Sequence, residues 1–410
     1  AQEFVFPLRR MGSLRTRYVL GSPWLLPGEL CPSNIVGSGA FGKVLACRDS
    51  TAHEKVAVKR ISSAFDSLLE GRRMIREVQL LQQLHHENIL PLLRVYQGEG
   101  EFGQDDVYIV TPLMDTDLQR VIKSSQVLTE PHVAYLTGQL FSALKYMHSA
   151  GVWHRDIKPS NILVSADCRV KLCDFGLARH VPGEDAGLSE YVVTRWYRAP
   201  EVILENERYS SALDVWAVGC LVAELFLRRP LFPGRHHLDQ LQRFAEALGQ
   251  PSETELSWLQ ADGASRRLLA RLDYPRQPTL RAKLGSGVSA KAFSLIQQLL
   301  RLNPRLRLSA ADALRHPFLL PQVKMAVASR ADVNSDCPMP QSTQHLRELF
   351  TEVMAGKPAD HKASELQTRI SFCSTRCSGT QDDDSESCIE APKTKRTFLS
   401  RLCGVGIPRD

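Results

Sequence analysis

The sequence contains no apolar run of the roughly 18 residues that a membrane-spanning helix needs. Its N-terminus also lacks a basic segment followed by an apolar stretch and a small-residue cleavage site, the pattern of a secretory signal. The 410 residues are 43% apolar and 23% charged, which is typical of a globular protein. We therefore expect a soluble intracellular protein with no membrane partner. Met11 is a candidate for the true start, which the sequence alone does not decide.

Regularly spaced cysteines are absent too. The ten cysteines are scattered, and some, such as Cys173 and Cys220, lie within apolar runs. This pattern favours reduced thiols over a disulfide framework. Cys373 and Cys377 come nearest to a zinc pattern, but they have no second cysteine pair at the required spacing and no suitable histidine. Zinc is therefore not expected.

A large excess of one charge is also missing. Lys and Arg number 51 against 45 for Asp and Glu, which leaves a net charge of +6. An excess this small does not indicate nucleic acid binding, and a phosphate-binding site would account for it as easily. No nucleic acid partner is expected.

What the sequence does contain changes in character along the chain. Up to about residue 120, short β-branched segments accompany one amphipathic helix, predicted from apolar residues at helical spacing over 74–84. From about residue 130 helical patterns dominate, and the first of them has a proline in its first turn and a glycine at its end. We predict a small sheet-rich unit followed by a larger helical unit.

A glycine-rich run, IVGSGAFGKV, occupies residues 35–44. Gly37, Gly39 and Gly42 allow the backbone to close over a polyphosphate with its amides facing inward. A dinucleotide-binding fold uses the same spacing, but there the third glycine opens a helix. Here a strand pattern follows, and a second strand delivers Lys59. A glycine-rich hairpin turn without a ligand is the alternative that this run alone leaves open.

Lys59 needs an acidic partner, because an ammonium group in a half-buried cleft is stabilised by a nearby carboxylate. Glu77, on the amphipathic helix, is the candidate. Either residue taken alone is more simply interpreted as a surface residue. We interpret Lys59 and Glu77 as a functional pair only together with the motifs that follow them in the chain.

Two later motifs, HRDIKPSN and DFG, supply the chemistry. Asp156 is a carboxylate placed to accept a hydroxyl proton, and Lys158 lies two residues beyond it. Asn161 offers an amide oxygen and Asp174 a carboxylate, which are ligands that suit Mg²⁺. In this order, after a glycine-rich loop and a strand lysine, the motifs resemble those of the protein kinases.

The resemblance covers about residues 18–319 and implies an α+β, bilobal protein kinase fold. Residues 18–112 would form a small β-rich N-lobe and residues 113–319 a larger α-helical C-lobe. The remaining chain would comprise a flexible N-terminal extension at 1–17, a C-terminal extension at 320–356 that packs back on the kinase domain, and a disordered tail at 357–410.

The resemblance also implies ATP and Mg²⁺ in the cleft between the lobes, with adenine against the hinge at 112–115. Asp156, Lys158, Lys59 and Glu77 are the expected catalytic residues, and Asn161 and Asp174 the magnesium ligands. The residues expected to contact ATP lie on the glycine-rich loop, the next strands, the hinge and the magnesium-binding loops: Ile35, Gly37, Ser38, Gly39, Ala40, Phe41, Gly42, Val44, Ala57, Lys59, Thr111, Leu113, Met114, Asp115, Asn161 and Asp174.

Two structural contacts are implied as well. Glu201 is expected to pair with Arg307, and Asp214 to brace the backbone around His154 and Arg155. These residues would support the site and take no part in its chemistry.

Within the protein kinases, SEYVVTRWYRAPE resembles the activation lip of the mitogen-activated protein kinases. RRPLFPGRHHLDQLQRFAEALGQPSE matches the start of their insert, and QHLRELFTEV looks like the helix with which these enzymes wrap back onto the small lobe. The resemblance implies transfer of the γ-phosphate of ATP to Ser or Thr followed by proline in protein substrates. It also implies an upstream dual-specificity kinase, phosphatases, a monomer, and a cytoplasmic and nuclear location.

The lip carries two phosphorylatable residues, Ser189 and Tyr191, one residue apart. A phosphate orders a loop when guanidinium groups are available to bind it. The candidates are Arg73, Arg76, Arg155 and Arg179 for Ser189, and Arg195 and Arg198 for Tyr191.

The sequence departs from the family pattern in two places. Ser189 stands where the lip normally carries Thr, and the region after the last kinase helix offers only Asp332 and Asp336 in place of an acidic cluster for docking. Two other interpretations remain open at this point. One is a relative of the cyclin-dependent kinases, and the other is a catalytically inert pseudokinase scaffold.

Overall fold

A computed structural model describes residues 13–39, 42–98, 105–180, 195–204, 210–320 and 340–354. A sheet-rich N-terminal lobe is followed by a helical C-terminal lobe, which confirms the predicted α+β, two-lobed fold. The predictions for Ala40, Phe41, Ser189 and Tyr191 lie outside the described residues, as do those for the tail at 357–410. Among the residues that are described, no helix is both long enough and apolar enough to cross a membrane.

Seven strands build the N-terminal lobe. Five of them form an antiparallel sheet in the order β3-β4-β5-β7-β6, and β1 and β2 form a separate hairpin. Their bounds are β1 Leu14–Val19, β2 Ser22–Pro27, β3 Leu30–Gly39, β4 Gly42–Asp49, β5 Glu54–Ile61, β6 Arg94–Gln97 and β7 Val107–Pro112.

The first hairpin differs from the sequence prediction. Residues 14–17, predicted to belong to a flexible extension, form most of β1 and pair with β2. Most side chains of β1 are exposed, so the strand has no apolar alternation by which it could be recognised. Its position is fixed instead by β2, whose Trp24, Leu25 and Leu26 are buried against the sheet.

One long helix, α1 (Leu68–Gln83), packs beside this sheet and confirms the predicted amphipathic helix. The side chain of Ser67 accepts a hydrogen bond from the Glu70 amide and so caps the helix N-terminus. Apolar residues at helical spacing, including Met74, Ile75 and Val78, bury one face.

The C-terminal lobe is mainly helical. Its long central helix, α5, is buried along almost its entire length, as its apolar sequence predicts. The bounds are β8 Thr116–Asp117, α2 Leu118–Lys123, α3 Glu130–Ser149, β9 Val152–Trp153, β10 Ile162–Val164, β11 Val170–Leu172, β12 Arg179–His180, α4 Pro200–Ile203, α5 Ala212–Leu227, α6 His237–Leu248, α7 Glu253–Leu256, α8 Ala264–Ala270, α9 Leu280–Leu284, α10 Ala290–Leu299 and α11 Ala310–Ala313. Short 3₁₀ helices occur at Pro159–Asn161, Arg195–Tyr197 and Pro304–Leu306.

The last described helix, α12 (Thr343–Met354), returns to the N-terminal lobe and packs against α1. Its buried face consists of Leu346, Leu349, Phe350 and Val353, which join the apolar cluster beneath α1.

The two lobes are also joined at the rear by backbone pairing. Ile89, in the loop after α1, forms a parallel bridge with Leu172 of β11. The Leu90 amide donates to the Leu172 carbonyl at 2.9 Å, and the Leu172 amide donates to the Asn88 carbonyl at 2.8 Å. The Asn88 side chain donates to the carbonyl of Val170 at 3.1 Å. This contact is part of the interior, because Asn88 is only 3% exposed.

A buried ion pair joins Arg307, near the end of the C-terminal lobe, to Glu201 of α4. Arg307 donates to both carboxylate oxygens of Glu201 at 2.6 Å, and neither side chain is exposed. The guanidinium also donates to the carbonyls of Arg301 and Ala212, and it lies 5.0 Å from the ring centroid of Trp216. The pairing predicted from the sequence is therefore confirmed.

We predict that Arg307→Ala lowers the free energy of unfolding by about 3–5 kcal/mol, because it leaves a buried carboxylate without its partner. Urea unfolding would measure this change, with the m-value unchanged if the native state keeps its compactness. The control is Arg315→Ala. Arg315 pairs with Asp312 on the surface, where the side chains are 77% and 53% exposed, so a change within about 0.5 kcal/mol is expected. Equal effects for the two variants would contradict the prediction.

Candidate active site

The glycine-rich run forms the end of β3 and the start of β4. Gly37 pairs with Val44, and Gly39 pairs with Gly42, on either side of the turn. Gly42 has φ +123, and a Cβ atom there would lie under 3.0 Å from the carbonyl oxygen of Arg60. No other residue fits this position, because both the backbone conformation and the close approach of β5 require glycine.

A cleft lies beneath these strands and between the lobes. It brings together most of the residues predicted at the phosphate end of the site. The lining residues are Ser38, Gly39, Gly42, Lys43, Lys59, Ile61, Ser62, Glu70, Arg73, Met74, Glu77, Asp156, Asp174, Gly176 and Leu177. The lining residues that were not predicted as site residues are Lys43, Ile61, Ser62, Glu70, Met74, Gly176 and Leu177. Lys43 and Gly176 belong to recognised motifs but were assigned no role, and the others carry no motif signal.

Lys59 of β5 and Glu77 of α1 form an ion pair across the cleft. The Lys59 Nζ atom lies 2.7 Å from Glu77 Oε2 and 3.0 Å from Oε1. Lys59 keeps 22% of its side-chain surface exposed, so its ammonium group faces the cleft as well as the carboxylate. Sheet and helix are joined at this point by charge.

Burial and the surrounding charges shift the pKa values of both Lys59 and Glu77. Burial alone would lower the pKa of Lys59, but Glu77 and the nearby Asp174 outweigh it and raise that pKa above its ordinary value. Burial raises the pKa of Glu77. Lys59 lowers this pKa but only partly offsets the effect of burial, and Asp174 raises it further. We conclude that Lys59 is a cation held among carboxylates, which suits a group that must meet phosphate oxygens.

Asp156 lies at the centre of the catalytic loop. Its Oδ2 atom accepts from Lys158 Nζ at 2.7 Å and from Asn161 Nδ2 at 2.9 Å. Asn161 Nδ2 also donates to the Asp156 carbonyl at 3.0 Å, which locks the loop upon itself. Burial raises the pKa of Asp156 above that of an ordinary aspartate, although Lys158 opposes the shift.

Behind this loop, a fully buried carboxylate holds the backbone in place. Asp214 of α5 accepts from the amides of His154 at 2.9 Å and Arg155 at 2.8 Å, which confirms the predicted bracing contact. Arg155 has φ +68, a left-handed conformation that costs energy for a non-glycine residue. His148 also contacts Asp214 at 3.0 Å. Sequence reasoning did not identify His148, which carries no motif of its own.

Asp174 and Asn161, the predicted magnesium ligands, both reach this region. The amide nitrogen of Asn161 is committed to Asp156, so its oxygen is the atom that can face a cation. Asp174 has φ +66 and lines the cleft opposite Lys59. One carboxylate and one amide oxygen are a donor set that fits Mg²⁺, which takes few protein ligands. Phe175, next in the chain, is fully buried against the His154 ring.

The predicted adenine site follows the hinge. Ala57 of β5 pairs with Thr111 of β7, and the Leu113 amide donates to the Lys55 carbonyl at 3.1 Å. Thr111, Leu113 and Met114 are half-buried along this edge. Asp115 departs from them, since its carboxylate accepts from the Ala166 amide at 2.6 Å and thus faces the C-terminal lobe.

An exposed contact closes the mouth of the cleft. Arg120 of α2 donates to the carbonyl of Val36 on β3 at 3.2 Å and pairs with Asp117 at 3.3 Å. Its side chain is 64% exposed. Neither Arg120 nor Asp117 was predicted, because the contact joins segments more than 80 residues apart without a motif.

Four of the six predicted phosphate-binding arginines converge beside α1. Burial, together with the positive charges of Arg179, Arg155, Arg72 and Arg73, lowers the pKa of Arg76 to about 9. Arg72 was not predicted, but the sequence contains its signal, since it precedes Arg76 by four residues and therefore lies on the same helix face. This convergence is an arrangement that favours an anion.

The remaining two arginines lie apart from this cluster. Arg195 donates to the carbonyl of Arg235 at 2.6 Å, and Arg198 lies 3.4 Å from His237 Nε2 at the start of α6. The structure therefore divides the predicted set into two groups, one on α1 and the catalytic loop and one near α6. His237 was not predicted, because nothing in its local sequence distinguishes it.

Comparison with known proteins gives a consistent result. The protein kinase domain family matches residues 32–319. Mitogen-activated protein kinase 6 of Oryza sativa subsp. japonica is 41% identical over 353 residues, which cover 84% of this chain and 91% of that protein. Mitogen-activated protein kinase 6 of Arabidopsis thaliana is 46% identical over 284 residues, or 69% of this chain and 71% of the relative. The mitogen-activated protein kinase homolog NTF6 of Nicotiana tabacum is 44% identical over 289 residues, or 70% and 77%.

The family match at 32–319 spans the residues of the cleft and of the catalytic loop. The family uses ATP, usually with Mg²⁺, and its members act on protein substrates downstream of other kinases. The chain therefore belongs to the protein kinases and, within them, to the mitogen-activated protein kinases, which are serine/threonine kinases.

Proposed function

We propose that this kinase transfers the γ-phosphate of ATP to Ser or Thr followed by proline, and that phosphates on Ser189 and Tyr191 switch it on. The observation that carries the proposal is the joint arrangement of Lys59, Glu77 and Asp156 around one cleft, beside a cluster of arginines. The first group supplies the catalytic residues, and the second supplies a reason for phosphate on the lip.

Two sources of positive charge, Lys59 and bound Mg²⁺, would offset the negative charge of the phosphates. Lys59 is held by Glu77 with its ammonium group toward the cleft, where it would stabilise phosphate oxygens. Asn161 and Asp174 would hold Mg²⁺, which when bound neutralises charge on the phosphates and orients them. The amides of the glycine-rich strands would close over the same region. Positioning and charge would thus supply most of the catalysis.

Asp156 would receive the hydroxyl of the acceptor. Its carboxylate is buried and fixed by Asn161, so its orientation does not depend on solvent. Lys158, 2.7 Å from the same oxygen, would steady the transferring phosphate while keeping Asp156 ionised. A pseudokinase would have no need for this complete set.

The arginine cluster gives the lip its proposed role. Five like charges near α1 repel one another, and a phosphate dianion on Ser189 would relieve that repulsion while making up to three charge-assisted contacts. Because Arg73 and Arg76 share α1 with Glu77, such a phosphate would favour the helix position that the ion pair requires. Arg195 and Arg198 would serve Tyr191 separately.

The cellular setting belongs to the same proposal. Two acceptors, one Ser and one Tyr, imply an upstream dual-specificity kinase and phosphatases that reverse its action. We further propose that the protein works as a monomer in the cytoplasm and nucleus, with protein substrates and without nucleic acid or membrane partners. The small net charge of +6 supports the last point. Docking would not rely on an acidic cluster of the usual kind, since only Asp332 and Asp336 are available.

We predict that Lys59→Met abolishes turnover while the protein stays folded, with a lower free energy of unfolding because the buried Glu77 loses its partner. The ammonium group would act on phosphates in a cleft, so its loss should remove transition-state stabilisation and little packing. The control is Lys55→Met, an exposed residue of the same strand, which should retain wild-type turnover. Phosphate transfer to a generic protein substrate and thermal unfolding are the measurements. Turnover of Lys59→Met within tenfold of wild type would disprove the assigned role.

We predict that kcat/KM falls on the acid side at a pH above the ordinary aspartate pKa of about 3.9. The pKa of Asp156 is raised, so the ionised form that accepts the proton is lost as pH falls through that higher value. Lys158→Ala should move this acid limb to still higher pH, because Lys158 lowers the pKa of Asp156. A pH profile of both forms tests this, and an unmoved limb would assign it to another group.

We predict that full turnover requires phosphate on both Ser189 and Tyr191. Each charge-assisted contact contributes about 1.5–3 kcal/mol, whereas moving an equilibrium from 1:99 to 99:1 takes about 5.5 kcal/mol. Unmodified, singly and doubly phosphorylated forms, separated by mass, should therefore show stepwise increases in turnover on a Ser-Pro peptide, and all forms should show little turnover on the Ser-Ala control peptide. Phosphatase treatment should restore the basal rate. An unmodified form as active as the doubly phosphorylated one would rule out the switch.

A further inference from the structure

Helix α12 packs closely against α1 at a position where α1 has a glycine, Gly71, and therefore no side chain. Gly71 is buried in the second turn of α1, beneath α12. A Cβ atom built on Gly71 would lie under 3.0 Å from Leu346 Cδ2, and 3.0 Å from both Leu346 Cδ1 and the Ala64 carbonyl oxygen. Carbon atoms do not approach so closely, so Leu346 occupies the space that any other residue at 71 would fill.

This glycine is not explained by the needs of its own helix. Its backbone is helical, and glycine inside a helix is less favourable than alanine because it loses more conformational entropy on folding. The cost of glycine to the isolated helix is therefore offset by the packing of Leu346 into the space that a side chain at position 71 would occupy. Leu346 is 0% exposed and belongs to the apolar cluster that contains Met74 and Ile75 of α1.

Other contacts fix the same relation between the two helices. The Arg72 side chain donates to the carbonyl of Pro340 at 2.7 Å, just ahead of α12. The Gln82 side chain donates to the Val353 carbonyl at 3.4 Å, near the other end of α12. The two helices therefore run side by side along most of their length.

Position along α1 matters because the helix carries Glu77. Gly71 and Glu77 are six residues apart, which is about 9 Å along the helix axis. A displacement of α1 where α12 presses on it would be transmitted to Glu77, since the helix between them is a rigid hydrogen-bonded segment. The ion pair with Lys59 tolerates little displacement, because its atoms lie 2.7 Å apart.

We propose that Gly71 and Leu346 are positioning residues: Leu346 of α12, inserted over Gly71, sets the place of α1 and thereby keeps Glu77 within reach of Lys59. The proposal rests on the proposed role of Glu77 in catalysis. It makes α12 a part of the active enzyme, although α12 contributes no residue to the cleft lining.

The first test is Gly71→Ala in the full-length protein. Alanine is the better helix former, so a loss of activity cannot come from helix propensity. We expect kcat to fall about tenfold, equivalent to about 1.4 kcal/mol in the barrier. KM for ATP should change less than twofold, because α12 contributes no residue to the described lining of the cleft. Leu69→Ala, at an exposed position of the same helix, is the control and should match wild type.

The second test is rescue by removing the obstacle. In Gly71→Ala/Leu346→Ala, the smaller partner makes room for the added Cβ, and kcat should return to within about threefold of the Leu346→Ala single variant. Leu349→Ala removes a buried leucine of the same helix that is not the residue over Gly71. Gly71→Ala/Leu349→Ala should therefore show no recovery. If Gly71→Ala cannot be purified, recovery of soluble, active protein in these two double variants decides the same question.

The third test separates positioning from general destabilisation. If Gly71 acts through Glu77, then Gly71→Ala causes no further loss of kcat in a Glu77→Gln background, measured well below the melting temperature. Full activity of Gly71→Ala, recovery by Leu349→Ala as well as by Leu346→Ala, or additive losses with Glu77→Gln would each overturn the proposal. Wild-type turnover of Glu77→Gln alone would instead refute the role of Glu77, so the two failures are distinguishable.

Discussion

The ion pair between Lys59 and Glu77 is the constraint on which the N-terminal lobe depends. It joins a strand of the sheet to the one helix beside it, and the apolar cluster under that helix determines whether the two charged atoms meet. The hydrogen bonds of this ion pair require a narrow range of donor–acceptor distances, and the packed apolar contacts beneath the helix also resist added volume. The other contacts of the lobe therefore serve to fix the position of α1 along its own axis and its rotation about that axis.

Two other groups act on the same helix. The arginines near the catalytic loop carry like charges that favour an anion. The apolar face of α12 packs against α1 as well. One contact is electrostatic and, under the proposed activation, would respond to phosphate, whereas the other is steric. Helix α1 is thus the element at which the proposed regulation and the packing of α12 would act on Glu77.

Much of this arrangement is readable from the sequence, and the reason is local. The glycine-rich run, the strand lysine and the catalytic loop are motifs whose residues are close in the chain, so each can be recognised locally, and their combination resembles that of the protein kinases. The fold class follows from a change of periodicity along the chain, and α1 and α5 are recognised by their apolar patterns. Pairings between distant motifs, such as Arg307 with Glu201, came from the family resemblance, not from the physics of either segment.

What escaped prediction depends on contacts between distant segments. Strand β1 has almost no buried face, and its pairing with β2 cannot be inferred from its own residues. His148, Gly71 and Arg120 each act through a partner on another element, and none belongs to a pattern. The division of the arginines into two groups had the same cause, since only the fold determines which of them share a surface.

The lobes are joined unequally at their two edges. At the rear, backbone pairing between residues 88–90 and β11 is buried and cooperative, whereas at the mouth a single exposed arginine reaches the carbonyl of Val36. A solvent-exposed contact of this kind contributes no more than about 1 kcal/mol. The exposed contact therefore breaks at a lower free-energy cost than the buried pairing, so any separation of the lobes would begin at the mouth of the cleft.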